Sequence, residues 1–187
     1  MRIAGGQARG RRINPGRGYR LRPTSCRIRE ALFNILPPME GMFFLDLYAG
    51  SGAIGLEALS RGAVKVIFVE KSKALARVIK GNLGGSEFEG RYEILAAEVQ
   101  KGIRTLAKKR VRFDFLFADP PYDRGLVIET LRCVGAGSLT SEDSLVIIQH
   151  SIREELGQGP GGRFILTDQR RYSDTILSFL KLNLMLS

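Results

Sequence analysis

A glycine-rich motif in this 187-residue sequence combines residue types that bind nucleotide-like ligands. It runs Asp46-Leu47-Tyr48-Ala49-Gly50-Ser51-Gly52-Ala53-Ile54-Gly55, and Glu70 lies 20 residues after Gly50. The spacing Gly-x-Gly-x-x-Gly permits a tight turn and lets a ligand come close to the backbone. Glu70 is placed to accept hydrogen bonds from the two hydroxyls of a ribose. The motif therefore predicts a ribose-bearing ligand at this turn.

Asp46 narrows the chemistry of that ligand. In a dinucleotide site the glycine turn holds a pyrophosphate at the start of a helix. A carboxylate four residues before Gly50 would repel such an anion and would suit a ligand that carries an ammonium group. S-adenosylmethionine has a ribose, a sulfonium and an α-amino group, and it has no phosphate. The sequence favours this cofactor over NAD.

A second motif, Asp119-Pro120-Pro121-Tyr122, has the residues to hold an amine. The two prolines stiffen the turn and disfavour a helix before each ring. A fixed turn can aim the Asp119 carboxylate and the Pro120 carbonyl at one exocyclic NH2, and Tyr122 offers an aromatic face to a planar base. Attack of such a nitrogen on a sulfonium methyl is chiefly a positioning problem. The motif predicts amine methylation.

Strands and helices must alternate to bring these motifs together. Apolar runs predict strands at 42–48, 64–70, 92–97, 113–118 and 145–149, with amphipathic helices between them. Two further strands at 163–167 and 175–182 predict a closing antiparallel hairpin. The predicted fold class is α/β, a single Rossmann-like domain with a mostly parallel seven-stranded sheet. Ligands of such sheets bind beyond the carboxyl ends of the strands, where Asp46, Glu70, Glu98 and Asp119 fall.

The positive charge is concentrated at one end of the chain. The formal net charge is +10, and residues 1–29 contain nine arginines and no acidic residue, which gives +9. The other 158 residues hold 20 basic and 19 acidic groups. Because arginine grips phosphate bidentately, we expect residues 1–40 to form a basic arm and helix that bind RNA, followed by a catalytic domain over 41–187. A solvated, partly flexible tail is the alternative.

Composition excludes several other classes of protein. The longest apolar runs have four residues, whereas a membrane span needs about 20. The N-terminus lacks the apolar segment of a secretory signal. Two isolated cysteines and a single histidine do not make an ordinary zinc site. We therefore expect a cytoplasmic protein with reduced thiols, without a metal and without a membrane partner. We also expect it to be a monomer.

Several motifs together resemble a known family, the RsmD family of bacterial methyltransferases. The resemblance lies in Gly5-Gly6-x-x-Arg9-Gly10-Arg11-Arg12, Arg22-Pro23-Thr24, Arg29-Glu30-Ala31-Leu32-Phe33-Asn34-Ile35-Leu36, the glycine turn, Gly55 to Ala63 and Asp119-Pro120-Pro121-Tyr122. It covers residues 2–150 and thins toward the C-terminus. The family methylates N2 of one guanine in small-subunit (16S) ribosomal RNA. The resemblance implies a class I S-adenosylmethionine-dependent fold and the small ribosomal subunit or its RNA as partner.

The resemblance also implies roles for individual residues. The cofactor would contact Asp46, Tyr48, Ala49, Gly50, Ser51, Gly52, Glu70, Glu98 and Asp119. The target guanine would be held by Asp119, Pro120, Pro121 and Tyr122. RNA would contact Arg9, Arg11, Arg12, Arg22, Thr24, Arg27 and Arg29. This sequence departs from the family pattern where Ser25, Cys26, Glu98 and Gln149 replace a Thr, an Asp, a shorter Asp or Asn, and a carboxylate.

Three alternatives remain open from the sequence. An adenine-N6 DNA methyltransferase would keep the fold and cofactor, but it would need a separate domain to recognise duplex sequence. A non-catalytic assembly factor would bind ribosomal RNA equally well after Asp119→Ala. A small-molecule methyltransferase leaves the basic arm without a role.

Overall fold

A computed structural model of the chain describes residues 1–16, 26–84, 87–157 and 162–183. These residues form two compact units, Met1–Ala97 and Glu98–Ser187, and each is described in turn. The arginines at positions 17, 20 and 22, together with Thr24 and Ser25, lie outside the described residues.

The first unit alternates three helices with three parallel strands. Its elements are α1 (Cys26–Ile35), β1 (Phe43–Leu47), α2 (Ala53–Ser60), β2 (Lys65–Val69), α3 (Lys73–Leu83) and β3 (Tyr92–Leu95). β2 pairs with β1 on one side, where Ile67 lies opposite Leu45, and with β3 on the other. The last four residues of β1 and of β2 are buried, as expected for parallel strands covered on both faces.

The second unit begins in the same alternation and ends in antiparallel strands. Its elements are α4 (Val99–Lys108), β4 (Phe115–Ala118), α5 (Leu126–Ala136), β5 (Leu145–Ser151), β6 (Phe164–Tyr172) and β7 (Thr175–Leu182). β5 pairs with β4 in parallel and with β7 in antiparallel, and β6 pairs with β7. The predicted C-terminal hairpin is therefore confirmed.

The strands form one seven-stranded sheet with the order β3-β2-β1-β4-β5-β7-β6. The predicted α/β fold with a mostly parallel sheet is confirmed, and the strand boundaries shift by a few residues. No helix in the described part of the chain is long and apolar enough to cross a membrane.

The described part of the basic arm is packed against the rest of the first unit, so it is not a free tail. Ile3, Ala8 and Ile13 are each less than 10% exposed. The backbone N–H groups of Ala4 and Gly5 donate to the Glu57 carboxylate of α2 at 2.8 and 2.7 Å. These three buried apolar residues are five residues apart, a spacing that matches neither a helix nor a strand, so their burial leaves no periodic signal. The domain boundary at residue 40 stays a prediction.

His150 is a core residue of β5 in the second unit. Its side chain is 1% exposed, with Nε2 2.7 Å from the Ser178 hydroxyl and Nδ1 3.0 Å from the Ser151 carbonyl oxygen. Burial lowers the pKa of His150 below its ordinary value, because an imidazolium would be desolvated there. The interpretation of this residue as core rather than as an RNA contact fits its burial.

Acid should destabilise the protein through His150. Below pH about 6.5 the unfolded chain binds a proton at this histidine, whereas the folded chain does not until its lower pKa is reached. Stability contributed by the neutral ring is therefore complete above that pH and declines below it, by at most about 1.4 kcal/mol per pH unit. Urea unfolding at pH 7.5 and 5.5 should show a smaller pH dependence for His150→Gln than for the unaltered protein. An equal pH dependence of stability in the two proteins would contradict the role of His150 in acid destabilisation.

Candidate active site

The turn between β1 and α2 is a tight glycine turn in the first unit. Tyr48 has a φ of 60° and Gly52 a φ of 78°, both in the left-handed region. A side chain at Gly52 would be strained by this φ. A Cβ at Gly55 would lie 2.2 Å from Cε1 of Phe68, so this glycine lets α2 pack directly on β2. The predicted site residues Tyr48 to Gly52 all lie in this turn.

Glu70 follows β2 directly and is oriented by two backbone amides. It is 6% exposed. The Gly50 N–H donates to its Oε2 at 2.8 Å and the Ser72 N–H donates to its Oε1 at 2.8 Å. Each carboxylate oxygen has further lone pairs, so both remain able to accept from hydroxyl groups. The geometry fits the predicted contact with two ribose hydroxyls.

Asp46 lies within β1, one residue before its end, and its carboxylate is buried. It is 2% exposed, and its Oδ2 accepts a hydrogen bond from the Gly55 N–H at 2.9 Å. Two carboxylates, those of Asp46 and Glu70, thus lie at the glycine turn. A pyrophosphate would meet both negative charges, whereas an ammonium-bearing ligand would be attracted by them. These residues therefore fit S-adenosylmethionine.

Sequence reasoning missed Asn82, which supports the same turn. Its Nδ2 donates to the Ser51 carbonyl at 3.0 Å, and the residue is 8% exposed. Leu75, Ile79 and Asn82 follow one another at the spacing of a buried helical face of α3. A polar residue in an apolar stripe is the signal that was available in the sequence.

In the second unit, Asp119 to Tyr122 follow β4 as predicted. Asp119 is half-buried, Pro120 is buried and Pro121 is exposed. The Gln149 Nε2 donates to the Tyr122 hydroxyl at 3.1 Å, and the Thr175 hydroxyl lies 3.4 Å from the same oxygen. Gln149 and Thr175 are 4% and 2% exposed. The ring of Tyr122 is thereby tied at its hydroxyl end to two buried strands, β5 and β7.

Gln149 is one of the departures from the family pattern, and its contact explains what the amide can do there. A carboxamide donates a hydrogen bond to the phenol oxygen, whereas a carboxylate only accepts.

Glu98 occupies the position just before α4 in the second unit and is exposed. Its side chain makes no capping hydrogen bond to that helix. Its contact with an adenine stays a prediction.

Cys26, another departure, begins α1. Its thiol donates to Glu30 Oε1 at 3.3 Å. This hydrogen bond is the main cause that raises the pKa of Cys26, with burial as a smaller one. The thiol therefore stays protonated at neutral pH and adds no negative charge to the start of α1, where the resemblance implies an Asp.

The arginines predicted to contact RNA differ in availability. Arg9, Arg12 and Arg27 are exposed. Arg11 is partly covered, because its guanidinium donates to the Asn82 and Gly84 carbonyls at 2.8 and 2.9 Å. Arg22 and Thr24 lie outside the described residues.

The prediction that Arg29 contacts RNA is wrong, because its side chain is buried. It is 0% exposed, and its Nε lies 3.2 Å from Oε2 of Glu57, which is also fully buried. Burying a guanidinium requires a partner charge, and Glu57 supplies it inside the first unit. Arg29 therefore holds the arm and α2 together and does not present its side chain to RNA.

Comparison with known proteins agrees with this fold. The Escherichia coli protein yhhF superposes with a TM-score of 0.82 at 30% identity, and the match covers 98% of each chain. SMU.776, solved with S-adenosylhomocysteine (SAH), superposes with a TM-score of 0.67 at 15% identity over 83% of this chain and 48% of that one. At that identity the likeness concerns the fold alone.

The sheet order, the glycine turn and the acid after β2 define a methyltransferase of the class I fold. The chain belongs to the family described as Conserved hypothetical protein 95, whose pattern matches residues 1–181. Ribosomal RNA small subunit methyltransferase D of Escherichia coli (strain K12) is 34% identical over 161 residues, which cover 86% of this chain and 79% of that protein. The resemblance to the RsmD family is thus confirmed.

Proposed function

We propose that this methyltransferase transfers the methyl group of S-adenosylmethionine to the exocyclic N2 amine of a guanine in small-subunit ribosomal RNA. The observation that carries the proposal is the anchored Tyr122 beside the proline-stiffened Asp119-Pro120 turn at the end of a buried strand. The substrate class is supported by the match to a relative named as a ribosomal RNA small subunit methyltransferase.

The residues of the turn would act by positioning the amine. S-adenosylmethionine supplies, when bound, a methyl group made electrophilic by the sulfonium. The Asp119 carboxylate and the Pro120 carbonyl would accept the two N–H bonds of the amine, and this leaves the nitrogen lone pair free for in-line attack. The transfer would form a carbon–nitrogen bond as the carbon–sulfur bond of the cofactor breaks, SAH would leave, and the Asp119 carboxylate or water would take the proton that the amine loses. The ring of Tyr122 would stack on the extruded guanine.

The cofactor would be held in the first unit. Glu70 would bind the ribose hydroxyls, and the anionic environment of Asp46 would favour the ammonium group. The Gly50-Ser51-Gly52 backbone would lie against the amino-acid part of the cofactor, which the absence of side chains at the two glycines permits. Methylation takes place in the cytoplasm in this proposal, where ribosomal RNA is assembled into subunits.

Methyl transfer to small ribosomal subunits tests the proposal. Subunits from a strain that lacks the enzyme are incubated with the protein and methyl-labelled S-adenosylmethionine, and the label is mapped. We expect label on N2 of a guanine in 16S RNA. Label on adenine or only on DNA would contradict the substrate and favour the adenine-N6 alternative. RNA binding without any transfer would favour the assembly-factor alternative.

The exposed arginines of the arm and of α1 should make RNA binding dependent on salt. Replacing Arg9, Arg12 and Arg27 by alanine should reduce the slope of log affinity against log salt by about 2, since each phosphate contact contributes about 0.7 for single-stranded RNA. Fluorescence anisotropy with an RNA fragment across a salt series measures the slope.

A matched control removes three exposed cations elsewhere, Lys73, Arg77 and Lys80 of α3. This variant loses the same charge but should keep the original slope. Equal reductions in both variants would show that net charge, and not a contact surface that includes the arm, determines RNA binding.

A further inference from the structure

Asn82 connects the basic arm to the cofactor turn through one buried carboxamide. Its Nδ2 donates to the Ser51 carbonyl and to the Asn14 carbonyl, each at 3.0 Å. Its Oδ1 accepts from the Asn14 N–H at 2.8 Å. These partners are 31 and 68 residues away in the sequence. Both N–H groups of the Asn82 side chain therefore donate hydrogen bonds, one to the cofactor turn and one to the arm.

The chemistry of these bonds is specific to asparagine at this position. Aspartate has no N–H to donate and would place negative charge against two carbonyl oxygens, and alanine has no polar atom. The bond to the Ser51 carbonyl is buried, so this carbonyl would lack water as a substitute partner after either substitution, whereas the bonds to Asn14 are only partly buried.

Arg11 strengthens the arm's side of this connection. It donates to the backbone carbonyls of Asn82 and Gly84, where α3 leaves carbonyl groups without helical partners. A guanidinium is favourable there, since the C-terminal end of a helix carries partial negative charge. Its guanidinium carbon lies 5.7 Å from the ring centre of Phe88. Arg11 thus acts as a fixed structural contact of the arm in addition to any role with RNA.

Ser51 needs such support because of its neighbours. It lies between Gly50 and Gly52, and glycines restrict the backbone least of all residues. A hydrogen bond to the Ser51 carbonyl limits the orientations of this peptide before a ligand binds. Binding to a turn that is already ordered costs less conformational entropy.

We propose that Asn82 is a positioning residue for the cofactor turn, and that the arm supports cofactor binding through Asn14 and Arg11. The arm therefore contributes to the cofactor site as well as to the expected RNA surface. This inference rests on the proposed use of S-adenosylmethionine, and it concerns affinity for the cofactor, with the methyl-transfer step left unchanged.

Calorimetric titration with SAH, without RNA, tests the inference. Asn82→Ala and Asn82→Asp should each weaken SAH binding about tenfold, as expected for the loss of one or two hydrogen bonds from a buried site. Arg11→Ala should weaken it about threefold, and the double variant Arg11→Ala/Asn82→Ala should bind hardly more weakly than Asn82→Ala alone, since both act through one connection. The KM for S-adenosylmethionine should rise while kcat at saturating cofactor is retained.

Two matched variants serve as controls. Asn34→Ala removes an exposed asparagine from α1, and Arg77→Ala removes an exposed arginine from α3. Both should bind SAH like the unaltered protein.

The outcomes separate the inference from the proposed function. Asn82 variants that melt at lower temperature but bind SAH normally would overturn the positioning role. Normal SAH binding by Arg11→Ala would overturn the contribution of the arm, and this test remains if the Asn82 variants do not fold. Failure of the unaltered protein to bind SAH would instead contradict the proposed function.

Discussion

Replacement of Asp119 by alanine is expected to lower the rate of methyl transfer about 10³-fold, the range expected when a positioned electrostatic contact is lost. The carboxylate lies directly after β4, a strand whose four residues are all buried, so its backbone is rigidly placed. Without it the amine would keep one acceptor, the Pro120 carbonyl, and its lone pair would no longer be aligned. Single-turnover assays with methyl-labelled S-adenosylmethionine and saturating small subunits measure the rate.

Asp119→Asn is the matched comparison, because asparagine has a side chain of the same length and keeps one acceptor oxygen. Because the carboxamide oxygen can still accept a hydrogen bond from the amine, we expect Asp119→Asn to retain a substantial fraction of the activity. SAH affinity should fall far less than the rate in both variants, although Asp119 is also a candidate cofactor contact. An Asp119→Ala variant as active as the unaltered protein would overturn the proposed mechanism.

The glycine turn and the acid after β2 were predictable because their signals are local. The glycines lie in one short segment, and Glu70 accepts hydrogen bonds from Gly50, in the turn after β1, and from Ser72, two residues after Glu70 itself. Sequence spacing determines such geometry once the alternation of strands and helices is recognised.

The packing of the arm was not predictable in the same way. Its anchor, Glu57, is the one charged residue of the helix Ala53–Ser60, and every residue of that helix is buried. Its partners Ala4, Gly5 and Arg29 are 28 to 53 residues distant in the sequence. Local periodicity carries no information about such pairs, and an arginine in a basic segment has the same appearance whether it binds RNA or a buried glutamate.

The contacts of Tyr122 were predictable only in part. The sequence marked Tyr122 as a ring for stacking and Gln149 as a departure from the family pattern. Only the register of β5 and β7, in which Gln149 pairs with Leu177 and Ser151 with Thr175, brings Gln149 and Thr175 to one phenol. Antiparallel pairing across a long connection is set by tertiary structure and not by the motif itself.

Glu57→Gln is expected to destabilise the protein by about 3–5 kcal/mol, the usual effect of leaving a buried charge without its partner. Glu57 Oε1 and Oε2 accept hydrogen bonds from four groups: the backbone N–H of Ala4, the backbone N–H of Gly5, Arg29 Nε and Arg61 Nε. A carboxamide has one acceptor oxygen and brings an NH2 group toward these donors. Thermal unfolding should show a Tm lower by about 10 °C.

A double-mutant comparison separates the unpaired charge from the lost hydrogen bonds. Arg29→Met/Glu57→Gln removes the buried positive charge as well, so this variant should be more stable than Glu57→Gln alone. Arg61→Ala should cost less than Glu57→Gln, because Arg61 is 23% exposed and water replaces part of its contact. A Glu57→Gln variant within about 1 kcal/mol of the unaltered protein, the range of an ordinary exposed ion pair, would contradict the buried ion pair as the anchor of the arm.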